Sequence, residues 1–355
     1  MTIPALTRRA ILAAALILPA CSRKADAQPT LDPVEALKAL APFPVGCAVM
    51  TGRLQEPAFT TLLTRHISQL TAEWEMKMEY ILGDDGKLRF EAPDAIAAFA
   101  RTNGMKLHGH TLVWYANEPK AFAELDTRRA GFADAYRNYI LNVTGRYRGL
   151  ANGWDVVNEP IEDNDGGKLR TSLWSSRLGD IDHIRRALDH AREADDKAVL
   201  FINDYNLEQY PAKRAAFLRL AEALLKAGAP LGGLGCQTHL AADLPTGQIG
   251  GTIKELASLG LKVHVSEMDV SVAWAKRMAP KARLERQIAL YTEAAETFCA
   301  LPAALRYGFT LWGLRDSDSW QRKDQPSDTP LLFDDSGRAK PAFAAVAQAF
   351  RYAPR

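Results

Sequence analysis

The chain has 355 residues, 47% of them hydrophobic, with 44 basic and 42 acidic side chains and a net charge of +2. That length buries one large core or two modest ones, and the balanced charge offers no basic field, so no nucleic-acid partner is expected. An enzyme or a binding protein remains.

In chain order, the N-terminus comes first. Arg8 and Arg9 precede an apolar stretch from Ala10 to Leu18 that is too short to span a bilayer, and small residues follow it. An export signal is therefore expected over residues 1–27. Two processing sites compete: Leu18-Pro19-Ala20-Cys21 resembles a lipobox, in which Cys21 is acylated, and Ala25-Asp26-Ala27 fits ordinary cleavage after Ala27. The protein is expected to be a membrane-anchored lipoprotein or periplasmic, with secretion as the alternative. Residues 28–40 read as a polar tether, and 41–355 as the folded domain. Of the other cysteines, Cys47 and Cys236 lie in apolar, strand-like runs and read as buried thiols.

Eight strand-like runs follow: VGCAVM (45–50), a segment around Leu70 to Ala72, MKLHGHTLV (105–113), GWDVVN (153–158), AVLFIND (198–204), LGGLGCQ (231–237), LKVHVSE (261–267) and LRYGFTLW (305–312). Amphipathic helical segments lie between them, at 57–69, 93–103, 128–148, 173–195, 211–227, 280–298 and 341–351. This alternation, without a linker or repeat, predicts an α/β fold of one domain, a (β/α)8 TIM barrel. A doubly wound sheet is the rival, but no G-x-G-x-x-G follows the first strand.

In such barrels the C-terminal strand ends build the site. Here they carry His108 and His110, Asn158 and Glu159, Asn203 and Asp204, Gln237 and His239, Glu267 and Asp269, and Trp312. A lone strand-end Glu is usually solvated or salt-bridged, and a lone Trp usually core. The coincidence at nearly every strand is what argues for a site. Period-2 alternation puts Val263, Val265 and Glu267 on one face, the inward one. The same rule puts Asn158 and Glu159 on opposite faces, so both serve one site only if the strand end twists or bulges. Two glutamates among amides and the indoles of Trp114, Trp312 and Trp320 suit glycoside hydrolysis. One carboxyl donates a proton to the leaving oxygen, and the other, ionised, attacks the sugar or activates water.

WDVVNE (154–159), HGHTLVW (108–114), QTHL (237–240), HVSEMDV (264–270), FTLWGLRDSDSW (309–320) and PLLFD (330–334) resemble the motifs of family 10 glycoside hydrolases, the endo-β-1,4-xylanases, in the family's order from about Ala41 to the C-terminus. The resemblance implies a retaining double displacement on internal bonds of xylan or xylo-oligosaccharides, by a monomer without metal or cofactor. It implies Glu159 as acid/base, Glu267 as nucleophile, and Asn158 as a partner of the 2-hydroxyl. His239 and Asp269 would orient Glu267. Glu73, Lys77, His110 and Gln237 would hold the glycone sugars, with Trp312 and Trp320 as floor and lid and Trp114 as a further apolar face. Tyr205 and Asn206 would meet the leaving-group sugars.

Two rivals stand beside this reading. One is a barrel that binds sugar without cleaving it, although both glutamates stand in intact motifs. The other is a metal-dependent amidohydrolase built on His108-Gly109-His110 with His239 and His264, although that H-x-H normally lies on the first strand and here lies on the third. The chain also departs from the family. Where the family reads E-N-x-M-K, this chain has Glu73-Trp74-Glu75-Met76-Lys77, and Tyr115 replaces the common His after Trp114. An indole cannot replace the amide's hydrogen bonds, so Trp74 is expected either to offer a stacking face in the glycone cleft or to pack beneath the loop.

Overall fold

The computed structural model describes residues 34–125, 129–163 and 166–355. The export-signal readings, including Cys21 and Ala27, lie outside the described residues. Among those described, no helix is long and apolar enough to cross a membrane.

The strands are β1 (Val45–Val49), β2 (Gln69–Ala72), β3 (Lys106–Trp114), β4 (Ala151–Asn158), β5 (Val199–Asp204), β6 (Gly233–Cys236), β7 (His239–Ala241), β8 (Lys262–Ser271) and β9 (Arg306–Leu311). Eight of them form a parallel sheet in the order β6-β5-β4-β3-β2-β1-β9-β8, which the β6–β8 pairing closes into the expected barrel. Helices return the chain between strands, and burial on both faces explains why the strands read as near-continuous apolar runs. The short β7 pairs only with the outer end of β8, where it carries His239 alongside Asp269.

The sequence reading missed the helix Gln248–Ala257, whose adjacent Gly250 and Gly251 dilute the helical signal. The segment 173–195 is two helices, Leu173–Leu178 and Asp182–Ala194, parted at Gly179, which holds a φ of 97°. The helix Leu37–Leu40 buries both of its leucines, and Val34 already packs against the core, so part of the segment read as a tether belongs to the folded domain.

The barrel interior explains how the site is aimed. His108 meets His264, Phe201 and Tyr307 at ring-centroid distances of 4.5, 5.7 and 5.4 Å, and only the interior joins residues of β3, β8, β5 and β9. His264 therefore points inward and Val263 and Val265 outward, opposite to the expected alternation. Glu267 reaches the barrel mouth because the β8–β9 register shifts between Val265 and Met268.

Strand β4 solves the same problem differently. Its register against β5 slips between Asp155 and Val157, so one extra residue is absorbed and Asn158 pairs with Asn203. Glu159 then takes a φ of 57°, in the left-handed region that non-glycine residues seldom enter, and its N–H donates to the Asn203 carbonyl at 2.7 Å. The bulge and the left-handed residue together bring both side chains to one mouth.

Candidate active site

A cleft of about 750 Å³ opens at the C-terminal strand ends. Glu73, Trp74, Lys77, His110, Trp114, Asn158, Glu159, Tyr205, Asn206, Gln237, His239, Glu267, Trp312 and Trp320 all line it. Asp269 lies just beneath, fully buried.

A chain of amides joins the two glutamates. Asn203 Nδ2 donates to Glu267 Oε1 at 2.7 Å and to Asn158 Oδ1 at 2.8 Å. Asn158 Nδ2 donates to Glu159 Oε1 at 3.1 Å, as does Gln237 Nε2 at 3.1 Å. Trp114 Nε1 donates to the other Glu159 oxygen at 2.8 Å. Ser266 Oγ fixes the Asn203 amide by donating to its Oδ1 at 2.7 Å. On β6, Gly235 leaves room for that amide: a Cβ there would lie 2.3 Å from Asn203 Oδ1.

His239 is set between two carboxylates, with Nε2 3.4 Å from Glu267 Oε2 and Nδ1 3.0 Å from Asp269 Oδ2. Burial opposes its charge, but Asp269 and Glu267 overcome that and push its pKa up to about 10. Asp269 also accepts from Trp320 Nε1 at 2.9 Å and Gln321 Nε2 at 2.6 Å. Burial alone would raise Glu267, yet the nearby His110 and the hydrogen-bonded His239 reverse the sign and hold it below the usual carboxylate range. An ionised carboxylate facing a cleft is thereby maintained.

On the neighbouring wall, Lys77 Nζ sits between two indoles, 4.3 Å from the Trp74 ring centroid and 4.7 Å from that of Trp114. Trp74 lines the cleft on this wall. Glu75 turns away to accept from the Thr51 N–H and hydroxyl at 2.6 and 2.7 Å. Burial raises Glu73 to about 7, with Lys77 opposing the rise. At the opposite end, Tyr205 lies over the buried Lys213, whose Nζ is 3.7 Å from the ring centroid and 2.8 Å from Asp204.

The histidines weighed as metal ligands have protein partners. His108 Nε2 and His110 Nδ1 approach Asp155 Oδ2 at 3.1 and 2.9 Å, and His264 Nε2 meets Thr310 Oγ1 at 2.8 Å. His239 belongs to the Glu267–Asp269 pair instead of joining the other three. Burial would raise Asp155, but His108 and His110 hold it well below the ordinary range. Ligand-type atoms of His108, Asp155 and His264, and of His110, Asp155 and Glu267, do lie within 4.8 Å of one another. Within them, His108 Nδ1 also meets the Tyr307 hydroxyl at 3.0 Å, while Asp155 Oδ1 and His264 Nδ1 are buried without a hydrogen-bond partner.

The family model of glycosyl hydrolase family 10 matches residues 35–349. The chain belongs to that family. It is 35% identical over 317 residues to "Endo-1,4-beta-xylanase A" of Thermotoga maritima, matching 86% of this chain but spanning only 30% of that protein's length. It is 36% identical to "Beta-1,4-xylanase" of Dictyoglomus thermophilum, over 85% of this chain and 86% of that one. A mutant xylanase from Cellvibrio japonicus, solved in complex with xylopentaose, superimposes with a TM-score of 0.84 at 29% identity, covering 91% of this chain and 70% of that chain.

Two contributors to this family 10 site escape the sequence reading, and a third is seen there without its role. Asn203 was visible as a strand end, but its bridging role depends on cross-barrel distances. Gln321 was hidden beside Trp320. Trp274 gave no signal because it follows β8 in a loop, yet it lines the cleft with its ring 5.9 Å from that of Trp320.

Proposed function

We infer that the protein is an endo-acting β-1,4-xylanase that cleaves internal xylosidic bonds by a retaining double displacement. The observation that carries this reading is the pair Glu159 and Glu267 at one cleft, joined through Asn158 and Asn203 and held in different surroundings. Glu267, kept ionised by His110 and His239, attacks the anomeric carbon. Glu159 gives its proton to the departing oxygen as that bond breaks, leaving a glycosyl ester on Glu267. Water then enters, Glu159 takes back a proton, and the ester opens to the free sugar and the Glu267 carboxylate.

Asn158 hydrogen-bonds the 2-hydroxyl, a contact that strengthens as positive charge builds on the sugar and so acts on rate more than on binding. His239 and Asp269 orient Glu267. Glu73, Trp74, Lys77, His110, Trp114, Gln237, Trp312 and Trp320 take the glycone, and Tyr205 and Asn206 the leaving-group sugars.

The protein acts as an exported monomer, with a lipid anchor at Cys21 as the first choice and cleavage after Ala27 as the second. Cys21→Ala, followed by membrane fractionation, separates them: release of the protein supports the anchor, and unchanged fractionation supports cleavage. For the activity, products from linear xylan and from cellulose are resolved in parallel. A ladder of xylo-oligosaccharides without cello-oligosaccharides supports the reading, and the reverse pattern contradicts it.

A further inference from the structure

Three successive carbonyls at the end of β4 accept from one residue. Arg170 donates from Nε to the Glu159 carbonyl at 3.1 Å, from its backbone N–H to the Pro160 carbonyl at 2.7 Å, and from Nη2 to the Ile161 carbonyl at 2.8 Å. Pro160 has no N–H, so the turn that follows Glu159 lacks a donor of its own at that position. A non-glycine residue at a φ of 57° persists only where its surroundings fix it. Here β5 takes the Glu159 N–H through the Asn203 carbonyl, and Arg170 takes the Glu159 carbonyl.

The guanidinium is itself seated over the Tyr115 ring, with Cζ 4.0 Å from the centroid, and Nη2 also lies 3.4 Å from the Tyr205 hydroxyl. Tyr115 follows Trp114, whose indole N–H donates to Glu159 Oε2 at 2.8 Å. The end of β3 therefore holds the acid twice: its carboxyl through Trp114, and its backbone through Tyr115 and Arg170. Tyr115 is also the position where this chain departs from the common histidine of the family. We propose that Arg170, seated on Tyr115, is a positioning residue for proton donation by Glu159, fixing the backbone turn that directs the acid at the leaving oxygen. The proposal rests on the reading of Glu159 as the acid and deepens it. A displaced acid transfers its proton poorly, whereas a leaving group that needs no proton is indifferent to the displacement.

The test uses the purified full chain and two aryl xylobiosides of like shape, one releasing phenol and the other dinitrophenol. Neither carries a sugar on the leaving-group side, so lost sugar contacts do not enter. Arg170→Met removes the donors and should lower kcat/KM for the phenyl substrate by about thirtyfold, and for the dinitrophenyl substrate by no more than about twofold. Arg170→Lys keeps the charge without the planar fork and should be nearly as impaired. Tyr115→Leu leaves the hydrogen bonds but removes the ring, and should cost about threefold to tenfold, again on the phenyl substrate alone. Should Arg170→Met fail to fold, Tyr115→Leu, at a partly exposed position, carries the same test. Equal losses on the two substrates in folded variants, or full activity in Arg170→Lys, overturn the proposal. Glu159→Ala on the same pair separates the two levels: if it too costs both substrates equally, the acid reading beneath the proposal fails instead.

Discussion

Both ends of the cleft set a lysine ammonium against aromatic rings, and the two lysines do different things. On the side assigned to the glycone, Lys77 Nζ lies between the rings of Trp74 and Trp114, with no carboxylate within ion-pair distance among the described residues. Burial lowers its pKa, and Glu267, Glu159 and Glu73 oppose that at longer range. On the leaving-group side, Lys213 is fully buried beneath Tyr205 and bound to both Asp204 and Asp163, at 2.8 and 2.6 Å. Burial pushes Asp204 up to about 7, with Lys213 resisting. The first lysine leaves its donors without a carboxylate partner among the described residues, while the second commits its donors to Asp204 and Asp163 beneath the Tyr205 ring. Substrate binding energy should therefore be concentrated at the glycone end, and the leaving-group end should contribute mainly shape.

The largest effect is expected between the two ends. Glu159→Ala should lower kcat/KM on xylo-oligosaccharides by on the order of 10³-fold, because the leaving sugar oxygen then departs without a proton. An aryl xyloside with a good leaving group should form its glycosyl-enzyme almost normally. Equal losses on both substrates would argue against the acid role.

Next comes His239. Activity needs Glu267 ionised, so it is present above the Glu267 pKa and lost as pH falls through it. Burial favours the neutral form of Glu267, and His110 and His239 oppose burial. His239→Asn removes one of these, so the acid limb of the kcat/KM profile should move to higher pH, with a fall in kcat of on the order of 10²-fold. A limb that stays in place leaves His239 with packing alone.

Trp74→Asn sharpens the comparison at the glycone end. It removes one indole from the Lys77 pair, and kcat/KM for xylotriose and longer substrates should change by about fivefold to tenfold, while a single-sugar aryl glycoside should be almost untouched. If both substrates respond alike, Trp74 acts on the fold and not on a subsite. The smallest effect belongs to the other end. Tyr205→Ala should cost about fivefold, and only on substrates that place a sugar over the ring. A loss there larger than that of Trp74→Asn would break the proposed asymmetry.

The sequence made the barrel legible because parallel strands buried on both faces leave unbroken apolar runs, and because polar residues collect where those runs end. It gave both glutamates for the same reason. It misassigned the inward face of β8, since strict alternation has no means of registering the slip between Val265 and Met268. For Asn158 and Glu159 the conflict with alternation was itself the signal: it required a twist or a bulge, and β4 has a register slip, completed by a left-handed Glu159. The Asn203 bridge could not be read, because it depends on the distance across a closed barrel. The helix Gln248–Ala257 was hidden by two glycines whose local preference the tertiary packing overrides.

The central claim, that Glu267 bonds covalently to the sugar while Glu159 manages the proton, is tested most directly by following linear xylohexaose hydrolysis with proton NMR and recording the anomer of the first-formed reducing end. Two inversions at one carbon predict the β-anomer first, with the α-anomer growing only at the rate of mutarotation. Initial appearance of the α-anomer would mean a single direct attack by water, and would contradict the account.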